Sequence, residues 1–181
     1  MEKEILKRIF EFLEEKENKL AKEKGTLRWK IVFNEPLTEE ELNVEDNLYL
    51  ADAIITSLPE GLKVGGWLIL NRSSITSLPK GLKVGRYLNL RNCQGLTSLP
   101  EGLEVVGDLI LYNSKNIESL PEGLKVGGDL DLRNTTIGSL PEGLKVGGNL
   151  LINQTALLEY TDEELREMIK PGVIEGYIFR R

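Results

Sequence analysis

The chain has 181 residues, 40% of them apolar, and a formal net charge of −6. That is enough apolar material for one domain with small caps, and the wrong sign for a face that binds nucleic acid. One cysteine and no histidine exclude an intramolecular disulfide framework, a multi-thiolate metal site and imidazole-based acid–base chemistry, so no metal and no cofactor are expected.

Residues 1–41 read as an N-terminal cap. Over 2–24, Ile5, Leu6, Ile9, Phe12, Leu13 and Leu20 lie near helical spacing and Gly25 is the stop, which predicts an amphipathic helix. Charges run through this start, so it reads as neither a secretory signal nor a membrane span; a cytoplasmic protein with no membrane partner is expected. Leu27, Trp29, Ile31 and Phe33 alternate, which predicts a strand over 27–33. Thr38 and Glu41, flanked by Leu37 and Leu42, carry the capping-box and staple pattern, while Leu42 is also in step with Leu62 further on.

Residues 42–157 repeat. Leu-Pro recurs at Leu58, Leu78, Leu99, Leu120 and Leu140, in steps of 20 or 21 residues. A Leu-x-Leu or Leu-x-Ile pair follows each time (Leu68/Leu70 to Leu150/Ile152), and the register extends back to Leu48/Leu50. Such a pair is a short strand with both apolar side chains on one face. Three residues later stands a small residue (Ala53, Ser73, Cys93, Ser114, Thr135, Thr155), suited to satisfying backbone amides where the chain turns under the strand. The proline after each leucine and the shortness of the repeat predict an extended, helix-free return path. No single turn buries its leucines alone, so about six turns stack into a solenoid with a parallel sheet. In the glycine column Gly65, Gly85, Val106, Gly127 and Gly147, the valine argues for close packing and against left-handed geometry; the next column (Gly66, Arg86, Gly107, Gly128, Gly148) leaves both open. Residues 158–181 read as a C-terminal cap: Thr161 and Glu164 open a helix over 162–170, Pro171-Gly172 ends it, and a strand follows over 173–179.

With Leu-Pro, Leu-x-Leu and a small residue before Ile in each turn, residues 42–157 resemble the short Leu-Pro class of leucine-rich repeats found in bacterial effectors and in uncharacterised bacterial and phage proteins. The resemblance implies a leucine-rich-repeat solenoid, in a bacterial or phage setting. The sequence departs from the class in its glycine pair and in showing no appended ligase domain. Cys93 stands in Cys-Gln-Gly, not in the Cys-x-Asp expected of such a ligase, so no catalytic residue carries over.

Outward-facing residues of the Leu-x-Leu strands form three columns on the face expected to be concave. Tyr49, Trp67, Ile69, Tyr87, Ile110 and Tyr112 would make an aromatic–aliphatic patch across four turns, the kind of surface that anchors a partner. Asp129 and Asp131, beside Asp108, are paired carboxylates that Arg91 and Arg133 would neutralise across strands as a charge ladder. The extra residues of the two longer turns, at Gln94-Gly95 and Lys115-Asn116, would bulge together at one rim. Cys93 reads as an inert core thiol. The expected function is a non-enzymatic, monomeric scaffold for an unknown protein or peptide. The alternatives are a structural or assembly protein, a glycan or small-molecule binder or hydrolase built on Asp129 and Asp131, and a designed or recently amplified array without an evolved ligand.

Overall fold

The computed structural model describes residues 24–181, which fall into two units, one ending at Pro36 and one running from Leu37 to Arg181. The helix expected over 2–24 lies, but for its last residue, outside the described residues. Residues 27–33, expected as a strand, are instead a short helix, α1 (Leu27–Val32). A spacing of four belongs to both periods, so the alternation that predicts a strand also sets Leu27 over Ile31 and Trp29 over Phe33 on a helix. Thr26 decides between them. Its Oγ1 accepts the Trp29 amide at 3.2 Å, its carbonyl accepts from Lys30 at 2.9 Å, and the Trp29 and Phe33 rings lie 4.8 Å apart.

In the second unit the Leu-x-Leu strands are where the spacing predicts, and the return path is extended as expected. It also forms a second sheet. Each repeat supplies two strands, one from Lys-Val and one from Leu-x: β1 (Asn43–Val44) with β2 (Leu48–Tyr49), β3 (Lys63–Val64) with β4 (Leu68–Ile69), and β5 (Lys83–Val84) with β6 (Leu88–Asn89). Then come β7 (Glu104–Val105) with β8 (Leu109–Ile110), β9 (Lys125–Val126) with β10 (Leu130–Asp131), and β11 (Lys145–Val146) with β12 (Leu150–Leu151). Odd-numbered strands pair only with odd and even only with even, all parallel, in two seven-stranded sheets. The chain is a β-solenoid of short parallel turns.

The last pair is β13 (Val173–Ile174) and β14 (Ile178–Phe179), so the strand expected over 173–179 divides between the two sheets. Val173-Ile174-Glu175-Gly176-Tyr177-Ile178-Phe179 follows the path of Lys63-Val64-Gly65-Gly66-Trp67-Leu68-Ile69. Between β12 and β13 lie a 3₁₀ turn (Ala156–Glu159) and helix α2 (Asp162–Met168). The expected capping box is present: Thr161 Oγ1 accepts the Glu164 amide at 3.2 Å and Glu164 accepts the Thr161 amide at 2.7 Å. It draws the Glu164 carboxyl below its ordinary pKa, the backbone hydrogen bond from Thr161 being the main cause. Arg166 on α2 donates to the carbonyls of Ile174 and Gly176, sealing the outer edge of β13. Among the described residues no helix is long and apolar enough to cross a membrane.

The core sits between the sheets. Leu68, Leu70, Leu88, Leu90, Leu109 and Leu111 are fully buried and meet Leu62, Val64 and their equivalents from the first sheet; each such burial is worth about 1.5–3 kcal/mol. In the small-residue column the expected amide acceptor is found at Ser114, whereas Thr135 and Thr155 donate instead to the carbonyls of Leu132 and Ile152, each at 2.7 Å. Ser114 Oγ donates to Leu90 O at 2.6 Å and accepts from the Cys93 amide at 3.0 Å. Cys93 itself is wholly buried, donates to Leu70 O, and has its pKa pushed up chiefly by that burial.

Two backbone devices close each turn. In the Leu-Pro-x-Gly corner the glycine has positive φ, for example +77° at Gly61 and +64° at Gly123, and the following leucine amide returns to the proline carbonyl at 3.3–3.4 Å. At the opposite corner a non-glycine residue is left-handed in every repeat: Asp52, Arg72, Asn92, Asn113, Asn134 and Gln154, at φ between +56° and +58°. Asparagine tolerates this region best. Its side chains also stack there, with Asn113 Nδ2 donating to Asn92 Oδ1 and Asn134 Nδ2 to Asn113 Oδ1, each at 2.6 Å. The first glycine column serves close approach, as the valine implied. None of these glycines is left-handed, and a Cβ on Gly65, Gly85, Gly127 or Gly147 would lie 2.0–2.4 Å from a carbonyl of the preceding turn.

Candidate functional site

The outer face of the even-numbered sheet is built from three columns, and each behaves differently. In the column ahead of the leucines, the side chains of most turns have a structural duty. Asn47 Oδ1 accepts the Trp67 amide at 2.7 Å, Asp108 Oδ1 the Asp129 amide at 2.8 Å, Asp129 Oδ1 the Asn149 amide at 2.6 Å, and Asn149 Oδ1 the Tyr177 amide at 3.0 Å. This ladder of amide-accepting side chains stops at Trp67 and Tyr87, which offer no such acceptor. Asp129, read from sequence as half of a carboxylate pair, is a rung of this ladder.

Where the ladder is interrupted, a cleft of about 600 Å³ opens, lined by Tyr49, Trp67, Ile69, Arg86, Tyr87, Gly107 and Asp108. Trp67 meets Tyr87 edge-on at 6.4 Å, and Trp67 and Tyr49 remain 43% and 52% exposed despite their size. The Tyr87 hydroxyl has its pKa raised, first by burial and then by the carboxylates of Asp108 and Asp131, with Arg91 opposing. Four of the six expected patch residues therefore come together here. Arg86, Gly107 and Asp108 were not foreseen as lining. The available signal was Arg86 itself, the one side chain in an otherwise all-glycine column.

Ile110 and Tyr112 belong to a second cleft of about 440 Å³, shared with Tyr87, Asn89, Arg91, Asp131 and Arg133. The expected single patch is thus two clefts that meet at Tyr87. Asp131 is 3% exposed, and a buried carboxylate needs a partner. It finds one within its own turn: Arg133 donates Nε to Oδ1 at 2.9 Å, Nη2 to Oδ2 at 2.7 Å and its amide to Oδ1 at 3.0 Å. This pairing raises the Arg133 pKa. It also corrects the expected ladder, since Arg91 does not reach across to Asp131 but lies over the Tyr112 ring, 4.7 Å from its centre. Arg133 flanks the same ring at 5.4 Å.

The rim insertions do lie side by side. Asn116 Nδ2 donates to Gln94 O at 2.6 Å, joining the two insertions, while Gln94 Nε2 donates to Asn113 O and the Lys115 carbonyl accepts from Thr136. Among the described residues no group of three or more Cys, Asp or Glu is gathered closely enough to hold a metal ion. At the far end of the face the columns continue into Tyr177, 76% exposed, and Phe179, whose rings meet edge-on at 6.3 Å. No family model, no curated protein and no solved structure matches the chain.

Proposed function

We propose that the chain is a monomeric repeat scaffold of the short Leu-Pro leucine-rich-repeat type, which binds a protein or peptide on the outer face of its even-numbered sheet and catalyses no reaction. One observation carries this reading. Trp67 and Tyr87 occupy a column where neighbouring turns place an amide-accepting side chain, and they form an open apolar cleft there instead. Large, half-exposed rings in a cleft are how binding anchors are built. Solenoid faces suit the task because one residue per turn can be changed without touching the core.

The test is selection of a displayed peptide library on the wild-type protein, followed by binding to the Trp67→Ala/Tyr87→Ala double variant. Selected peptides should lose at least about tenfold in affinity, while thermal unfolding moves by no more than about 1 kcal/mol. Peptides that bind the variant as well as the wild type overturn the assignment.

A second reading, a structural protein that assembles end to end, is favoured by one feature. The edge of β13 is sealed by Arg166, but no comparable seal lies on β14 among the described residues, and Tyr177 and Phe179 are exposed beside it. Light scattering over a range of concentrations separates the two. A constant monomer mass is expected, and growth with concentration would favour assembly.

A further inference from the structure

The two turns that flank Tyr112 carry the same three-residue unit, Asx-Leu-Arg: Asn89-Leu90-Arg91 on one side and Asp131-Leu132-Arg133 on the other. In both, the Asx Oδ1 accepts the amide of its own arginine at 3.0 Å. In both, the guanidinium lies over the Tyr112 ring. They differ in a single atom pair. Asp131 is a carboxylate and grips its guanidinium with two further bonds, whereas Asn89 is an amide and does not. Among the described residues the Arg91 guanidinium has no carboxylate partner and donates no hydrogen bond. The cleft that holds all of these groups is open to solvent and has a volume of about 440 Å³. Its charges sum to one excess positive, on a chain whose net charge is −6.

A guanidinium lying over a ring keeps its N–H edge directed outward, in the fork geometry that matches a carboxylate. Arg133 shows that geometry already filled, from within the chain. We propose that the cleft is a carboxylate-binding subsite: Arg91, held on Tyr112, takes a carboxylate of a bound peptide in a two-pronged ion pair, standing to that ligand as Arg133 stands to Asp131. The carboxylate comes from an acidic side chain or from a free C-terminus. The subsite adjoins the aromatic cleft through Tyr87, and it rests on the peptide-binding reading only in assigning the carboxylate to a peptide.

The experiment uses the full chain and two reporters in ¹⁵N-resolved spectra, the Arg91 side-chain Nε–H and the Trp67 indole N–H. The first probe is sodium acetate, titrated at constant ionic strength against chloride. The Arg91 signal should shift along a saturating curve, and that of the exposed Arg86 should not. In Asn89→Asp the new carboxylate occupies Arg91 from within, so the response should weaken by about tenfold or more. Tyr112→Leu, which keeps the Arg91 reporter but removes the ring that holds its guanidinium, supplies the same comparison should Asn89→Asp fold poorly. An Arg91 response no different from that of Arg86, or one unchanged in both variants, overturns the proposal.

Three peptides of the form acetyl-Phe-Gly-Gly-Gly-x then identify the source: x is glutamate amide, glutamine amide, or glutamine with a free C-terminus. Movement of the Arg91 signal with only the first assigns an acidic side chain, and with only the last a terminal carboxylate. If neither moves it although acetate does, the proposal fails. The Trp67 indole reports separately. A silent indole with a responsive Arg91 counts against the aromatic-cleft reading and leaves the subsite standing.

Discussion

Leu68, Leu88, Leu109, Leu130 and Leu150 stack on one another in the core, and one residue further along the same strands Ile69, Asn89, Ile110, Asp131 and Leu151 stack on the outer face. The first column is one residue type throughout and is fully buried. The second changes character at almost every step. Successive residues of a strand point to opposite faces, so two adjacent positions serve separate masters: one specifies the stack, and the other is left to specify what the stack meets. Where the outer face is uniform it is because it works for the backbone, as in the Asp108–Asp129–Asn149 ladder. Where the ladder breaks, rings and an uncompensated guanidinium appear.

That contrast can be broken first at its strongest point. Leu109→Ala should cost about 2–5 kcal/mol in chemical denaturation, whereas Ile110→Ala, next to it and only partly buried, should cost about 1 kcal/mol. Equal losses would mean that the outer face is as structural as the inner. A smaller effect is expected at the corner. Asn113→Ala places a Cβ-bearing residue without a polar partner at φ +58° and removes the asparagine-to-asparagine bonds, which should cost about 1–2 kcal/mol. Asn113→Gly, free of the backbone strain, should recover part of that loss. The smallest effect is at the capping box. Glu164 has its pKa lowered in the folded chain, so its contribution is present above the unfolded carboxylate pKa and fades as pH falls through the lowered folded value. Glu164→Gln keeps the box but removes the charge. Wild type should therefore melt above the variant at neutral pH, with the gap closing in acid; a gap that widens in acid would refute the assignment.

The leucine columns were legible because each is repeated in register and any one copy corrects another. The same comparison of copies made the glycine column legible: Val106 excluded a left-handed reading that a single glycine would have left open. The left-handed corner was hidden for the opposite reason. Its column reads Asp52, Arg72, Asn92, Asn113, Asn134, Gln154, and the asparagines and aspartate that carry the signal are mixed with Arg72 and Gln154, which do not. The closing strands were hidden by spacing. Ile178 pairs with Leu150, an offset of 28 residues where the other steps are 20 or 21, because α2 is inserted between them. At α1 the period itself was ambiguous, and a single hydroxyl, that of Thr26, tips the balance. As for the site, the aromatic residues could be read from their column alone, but their division into two clefts could not. It depends on Asp131 finding its arginine two residues on in its own turn, a choice that column patterns do not record.

The near-identical registers between turns carry a consequence for how such a chain changes length. Leu109 meets Leu130 as Leu130 meets Leu150, so a duplicated 20-residue unit would enter the stack with both of its neighbours already complementary to it. Nearly identical Gly-Leu-Lys-Val-Gly segments are also where misaligned copies of a gene can recombine. The interior can thus lengthen or shorten by whole turns while the terminal segments stay as they are. Each added turn brings one more row of three outward positions, open to variation from the moment it arises.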